Sequence, residues 1–188
     1  MKSLSLSEAT AFLPLVEAGN GVATIGGVKA KTKVFYIAGL GTDLAAKNNE
    51  LIDQATKKEN GVTNFDGSNK LNKGRQILVT AIRILFDTTA ATPVKEAGWK
   101  SEAPAVFKNG TFKVGTSAAG DIIENPVGPF AKYSSSLSVE QEFKQVVPFM
   151  IPEEVEYYIQ LIPAGNAAAD QKYRIEFDAI EFTAANKA

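Results

Sequence analysis

The sequence predicts a mainly β protein, an antiparallel β-sandwich with two N-terminal helices, and three stretches carry that prediction. Gln76 to Asp87 (QILVTAIRILFD) crowds β-branched residues into one segment, the composition of a long strand buried on both faces. Val155, Tyr157, Ile159 and Leu161 alternate with Glu156, Tyr158 and Gln160, the period of a half-buried strand. Tyr173, Ile175 and Phe177 alternate in the same way with Arg174, Glu176 and Asp178. With the shorter candidates between them, roughly seven or eight strands fall between Arg75 and Phe182, the spacing of an antiparallel sandwich.

Taken in order, Ser5-Leu6-Ser7-Glu8 is a capping-box pattern, followed by Ala9, Phe12, Leu13 and Val16 at helical spacing, with Pro14 keeping that helix short. Gly19-Asn20-Gly21 and Gly26-Gly27 bracket a short apolar stretch, Val22 to Ile25, which suits an arm that orders only against a neighbour. Lys33 to Leu40 reads as a strand. Thr42 or Asp43 caps a second helix that carries Leu44, Leu51, Ile52 and Ala55 on one face and ends near Asn60-Gly61. Residues 59–75 read as a polar surface loop. After the long strand, Val106 to Val114 has the form of a hairpin turning at Asn109-Gly110. Ile122-Ile123 and Val127 to Phe130 are candidate short strands, and Pro148 demotes part of Phe143 to Ile151 to an edge or a bend. In the last strand the apolar phase flips, because Ile180 and Phe182 lie opposite to Tyr173, Ile175 and Phe177. The flip predicts either a β-bulge near Asp178-Ala179 or burial of Ile180 and Phe182 against a neighbouring element. The organisation expected is one domain in three parts: arm, helix and first strand over 1–40, helix and polar loop over 41–74, and sandwich over 75–188.

A chain of 188 residues is long enough to bury a core without staples. Its 20 basic and 21 acidic residues nearly cancel, which argues against broad electrostatic capture of nucleic acid or membrane and permits close packing of copies. It has no histidine and no cysteine, which excludes His or Cys metal sites, cysteine nucleophiles and His-dependent triads. No apolar run approaches the roughly 18 residues of a membrane span, and no targeting signal is read at the start.

Several constellations invite a chemical reading. Gly39-Leu40-Gly41-Thr42-Asp43-Leu44 resembles a dinucleotide-binding turn, but Leu44 stands where a third glycine belongs. Asn64 to Ser68 resembles the start of a calcium loop, but Arg75 occupies the position of the bidentate glutamate. The carboxylates Glu153, Glu154 and Glu156, and Glu176, Asp178 and Glu181, fit solvated strand faces better than an acid–base pair. Lys29, Lys31 and Lys33 alternate along one face, which suits either contact with nucleic acid inside a particle or, the favoured reading, the guarding of a solvated edge strand. Trp99 in its Gly-Trp-Lys loop, Tyr158 on a polar face and Phe182 beyond the phase flip are the candidate subunit or ligand contacts.

The long strand QILVTAIRILFD, the strand block after it and the terminal pair EYYIQLIPAG…QKYRIEFDAIEF resemble the jelly-roll structural proteins of tailless icosahedral viruses and bacteriophages. The resemblance spans Arg75 to Phe182 and implies a jelly-roll-like sandwich in a non-enzymatic capsid protein, at a major or vertex position. It implies a homo-oligomer made in the host cytoplasm and located in the virion. Its partners would be copies of itself and other virion proteins, with no cofactor, metal, specific nucleic-acid site or membrane span. The alternative reading is a β-sandwich module that binds carbohydrate or protein through Trp99 or Tyr133.

Overall fold

The computed structural model describes residues 3–65, 68–100, 102–131 and 143–185. The chain enters through two short helices, α1 (Leu6–Thr10) and α2 (Leu13–Ala18). The capping box is formed: the Glu8 amide donates to Ser5 Oγ at 3.3 Å, and the Ser5 amide donates to Glu8 Oε2 at 2.8 Å. Pro14 lies in the first turn of α2 rather than at the end of a helix, where its missing N–H leaves no hydrogen bond unmade. Next come β1 (Val22–Ile25) and β2 (Val28–Leu40), joined by Gly26 and Gly27 at φ 57° and 79°, the left-handed geometry of a tight hairpin turn. The arm expected at Val22 to Ile25 is therefore a strand paired within its own subunit.

The remaining elements are α3 (Asp43–Ala46), β3 (Arg75–Asp87), α4 (Ala105–Lys108), β4 (Thr111–Thr116), β5 (Gly120–Pro126), β6 (Lys144–Ile151), β7 (Tyr157–Ile162) and β8 (Lys172–Ala184). A large sheet has the order β1-β2-β8-β3-β6 and packs on a small sheet with the order β5-β4-β7. The pairings follow one rule. β2 pairs with β8 in the large sheet, and Glu50 bridges Gln160 of β7 in the small one. β3 then pairs with β6 in the large sheet, and β4 with β5 in the small one. An antiparallel ribbon whose successive rungs alternate between two sheets is a jelly roll. Its second strand is here reduced to the stretch around Glu50, where the Leu51 amide donates to the Ile159 carbonyl at 2.9 Å.

Between the sheets lies the main core, where Phe35, Ile82, Ile84 and Phe177 meet Phe112, Val114, Ile159 and Leu161. A second core lies on the outer face of the large sheet, where Ala9, Phe12 and Val16 of the helical segment cover Val28, Ala30, Leu78, Ile180 and Phe182. This core accounts for the phase flip. β8 stays in unbroken register with β2 from Ala184 to Lys172, so no bulge interrupts it at Asp178-Ala179. Ile180 and Phe182 simply face the other way and are buried there. Phe182 is 0% exposed and meets Phe12 edge-on at 5.3 Å, so its partner is the chain's own helical segment rather than another subunit or a ligand. The bulge falls on β3 instead, where Val79 pairs with Ala179 and Ala81 with Asp178, leaving Thr80 extra. That shift turns Ile82, Ile84 and Phe86 inward to join Ile77 and Val79 in the main core.

Three local expectations are overturned. The helix proposed from Thr42 to Asn60 stops at Ala46, because Asn48 and Asn49 take φ of 50° and 62° and turn the chain out of the helix. Leu51 and Ile52 are buried from non-helical backbone. Val106 to Lys108 is helical rather than half of a hairpin, and Asn109-Gly110 closes that turn, the Gly110 amide donating to the Phe107 carbonyl at 2.8 Å. Gly128–Phe130 is a 3₁₀ turn, not a strand. The boundaries at residues 40 and 74 also dissolve. β2 is an interior strand of the large sheet, and Phe65 and Leu71 of the polar loop belong to the main core.

Candidate functional site

Away from the helices, the outer face of the large sheet carries a charged network. Glu176 is only 5% exposed and lies between two guanidiniums, accepting from Arg83 Nε and from Arg174 Nε at 2.6 Å each. Arg174 stacks over Tyr36 at 4.0 Å and reaches the ring of Trp99 at 5.9 Å, while Arg83 stacks over Phe143 at 4.5 Å. Glu176 is thus a buried ion-paired carboxylate, not the solvated one expected. Trp99 is half-buried and packs toward Arg174, at the end of a loop pinned where the Phe86 and Lys100 amides donate to each other's carbonyls at 2.7 and 2.8 Å.

Tyr158 lies on the outer face of the small sheet. Its ring crosses Gly115, where a Cβ would stand 2.2 Å from the phenol oxygen. Its hydroxyl donates to Asp121 Oδ1 at 2.5 Å, and Lys113 joins Asp121 at 3.3 Å to Glu124 at 2.7 Å. The hydrogen bond to the Asp121 carboxylate, with some burial, pushes the Tyr158 phenol up to about 12. Asp121→Asn is expected to return it toward the ordinary value near 10. Residue-specific NMR of ring-labelled tyrosine reads this directly, and an unchanged titration would detach Tyr158 from Asp121.

The third feature is the open side of the sandwich, where β5 edges the small sheet and β6 edges the large one. Pro148 lies on an edge strand, as expected. Val147 beside it is 87% exposed, and Ile122 on β5 is 37% exposed. Between the two strands runs a groove of about 460 Å³, lined by Ile122, Ile123, Phe130, Val146, Pro148 and Phe149 among others. Sequence reading missed Val147 and Ile122, although Val147 directly precedes the proline that marks the edge.

The motif-like stretches resolve into packing. Gly39 and Gly41 leave room for neighbours: a Cβ would stand 2.5 Å from the Tyr173 hydroxyl at Gly39, and 2.7 Å from Ala167 and 2.8 Å from Phe107 at Gly41. The Asn64 side chain serves β2, accepting from the Tyr36 amide at 2.8 Å and donating to the Val34 carbonyl at 2.7 Å. Asp66 and Gly67 of the same stretch lie outside the described residues, as does Tyr133. Glu181 is held by Arg75 at 2.6 Å and Lys33 at 3.2 Å, and Glu153 accepts from the Gly74 amide. Among the described residues no cluster of acidic side chains is arranged to hold a metal ion, and no helix is long and apolar enough to cross a membrane. No protein-family model matches the chain, and no curated protein matches it.

Proposed function

We propose that this chain is a non-enzymatic building block of a viral or bacteriophage capsid, working in many copies within the virion alongside other virion proteins. The observation that carries the reading is an edge of the jelly roll left unsealed among the described residues, with Val147 and Ile122 exposed on either side of an apolar groove. Bare apolar edge strands invite pairing with another chain, and a protein that works as a monomer blunts them. The N-terminal segment contributes as a docked surface rather than a loose arm, since Leu6, Leu15, Val22 and Ile25 stay exposed around the second core.

Light scattering after size exclusion, with electron microscopy of the products, tests this. The wild-type chain is expected to form closed particles or defined oligomers. Val147→Lys is expected to block assembly while changing monomer stability by no more than about 0.5 kcal/mol, because the side chain touches solvent. A chain that stays monomeric at high concentration and binds members of a glycan array would instead be a binding module.

A further inference from the structure

The large sheet overhangs the small one. β2 and β8 each run 13 residues, whereas β4 and β7 run 6, a difference of roughly 20 Å at the rise of a strand. On the core-facing side of this overhang the register sets Thr24, Lys29, Thr183 and Arg75 in one row across four strands. The next row brings Lys31 beside Glu181, and Lys33 follows two residues along β2. Thr24, Lys29 and Lys31 are exposed. Among the described residues the overhang thus carries four cations against the single carboxylate Glu181, which is already held by Arg75 and Lys33. Neither Lys29 nor Lys31 has an ion-pair partner among the described residues, and the hairpin from Val22 to Leu40 contains no acidic residue.

Edge protection does not explain these lysines. At Lys29 and Lys31 β2 is flanked by β1 and β8, so these two lysines guard no edge. Like charges at every second position repel, and here they recur at intervals of about 7 Å with hydroxyls beside them. We infer that this overhang binds the phosphate backbone of a nucleic acid. Point charges and hydroxyls suit phosphates, and the one ring beneath them, Phe35, is buried under Lys33 and out of reach of bases. The contact is therefore independent of sequence. It coexists with a net charge of −1 because the cations are gathered on one face.

The inference does not rest on the assembly reading and is tested on the monomeric Val147→Lys chain. Fluorescence anisotropy with a labelled 20-mer of thymidine, and with a duplex of equal length, is measured across about 25–200 mM salt. With three to four phosphates engaged, log K for the single strand should fall against log salt with a slope of about −2 to −3. K29Q/K31Q should reduce that slope by about 1.4, two contacts' worth. K57Q/K58Q, the same change in charge at two exposed lysines elsewhere, should leave it unaltered. Thermal melts of both variants verify folding, which exposed side chains should spare. No binding to either oligonucleotide at the lowest salt, or an equal loss in the control pair, would overturn the inference. So would loss of salt-sensitive self-association in wild-type-edge K29Q/K31Q with nucleic-acid binding unchanged, which would make an acidic surface of another copy the partner.

Discussion

Replacing Phe182 with alanine should lower the unfolding free energy of the isolated chain by about 3–5 kcal/mol. The ring is fully enclosed by the chain's own residues, edge-on to Phe12 and beside Ile180, Leu78 and Ala30. Its removal forfeits transfer energy and leaves a cavity that three strands of an interior sheet cannot collapse to fill. Urea unfolding of the monomer, with an unchanged denaturant slope, reads the effect. A loss under about 1 kcal/mol would mean that the helices do not hold the ring. Deleting residues 1–30 should be more damaging still. It removes β1 and the start of β2 and bares Ile180, Phe182 and Leu78, so the sandwich would not survive the truncation that a detachable arm would allow.

The second large effect lies at the far end of β8. Lys172 and Asp87 face each other across β8 and β3 with side chains 2% and 1% exposed, Nζ to Oδ2 at 3.3 Å. Lys172 also donates to the Thr89 carbonyl at 2.7 Å and the Asp170 carbonyl at 3.1 Å, and Asp87 accepts from the Thr89 amide and hydroxyl. Asp87→Ala strands a buried ammonium and should cost about 3–5 kcal/mol, whereas Asp87→Leu with Lys172→Met should come close to neutral. The pH dependence follows from the same contacts. Burial pushes the Asp87 carboxyl up, but the hydrogen bonds from Thr89 and the charge of Lys172 outweigh it and hold the carboxyl below the usual range. A carboxyl that ionises more readily folded than unfolded adds stability that is complete above the unfolded value near 4. That stability drains away as pH falls through the folded value. The gap between wild type and Asp87→Asn should therefore narrow below pH 4, and a gap constant with pH would sink the assignment.

The long strands were legible because one physical demand governed each residue. β3, β7 and β8 each bury one or both faces, and their alternation states which. The Ser5–Glu8 box was legible because its hydrogen bonds are local. The failures arose where local pattern and distant packing compete. Leu44, Leu51 and Ile52 have helical spacing, yet each is buried separately against the sandwich after Asn48 and Asn49 turn the chain. The phase flip in β8 was visible, but one strand cannot tell whether a bulge or a second core absorbs it. Ile77 and Val79 are likewise out of phase with Ile82 and Ile84, which marks the bulge at Thr80. Of the three contact candidates, Phe182 proved internal, and Trp99 and Tyr158 are partly occupied by Arg174 and Asp121. The open edge escaped notice because exposure of Val147 depends on which strand fails to arrive beside it, a property of topology.

The place of β8 between β2 and β3 also orders events in time. β2 and β3 never pair with each other; both wait for residues 172–184, so the centre of the large sheet cannot exist until β8 has been synthesised. Val28 meets Ala184, and such distant pairings require loop-closure entropy to be spent before any contact repays it. Folding should accordingly fall in the slow range of all-β topologies, milliseconds to seconds. A nascent chain holding β2 and β3 without β8 leaves the edges that β8 would cover unpaired, and β3 adds 13 largely apolar residues, so premature pairing between neighbouring chains on one messenger is the hazard this topology carries.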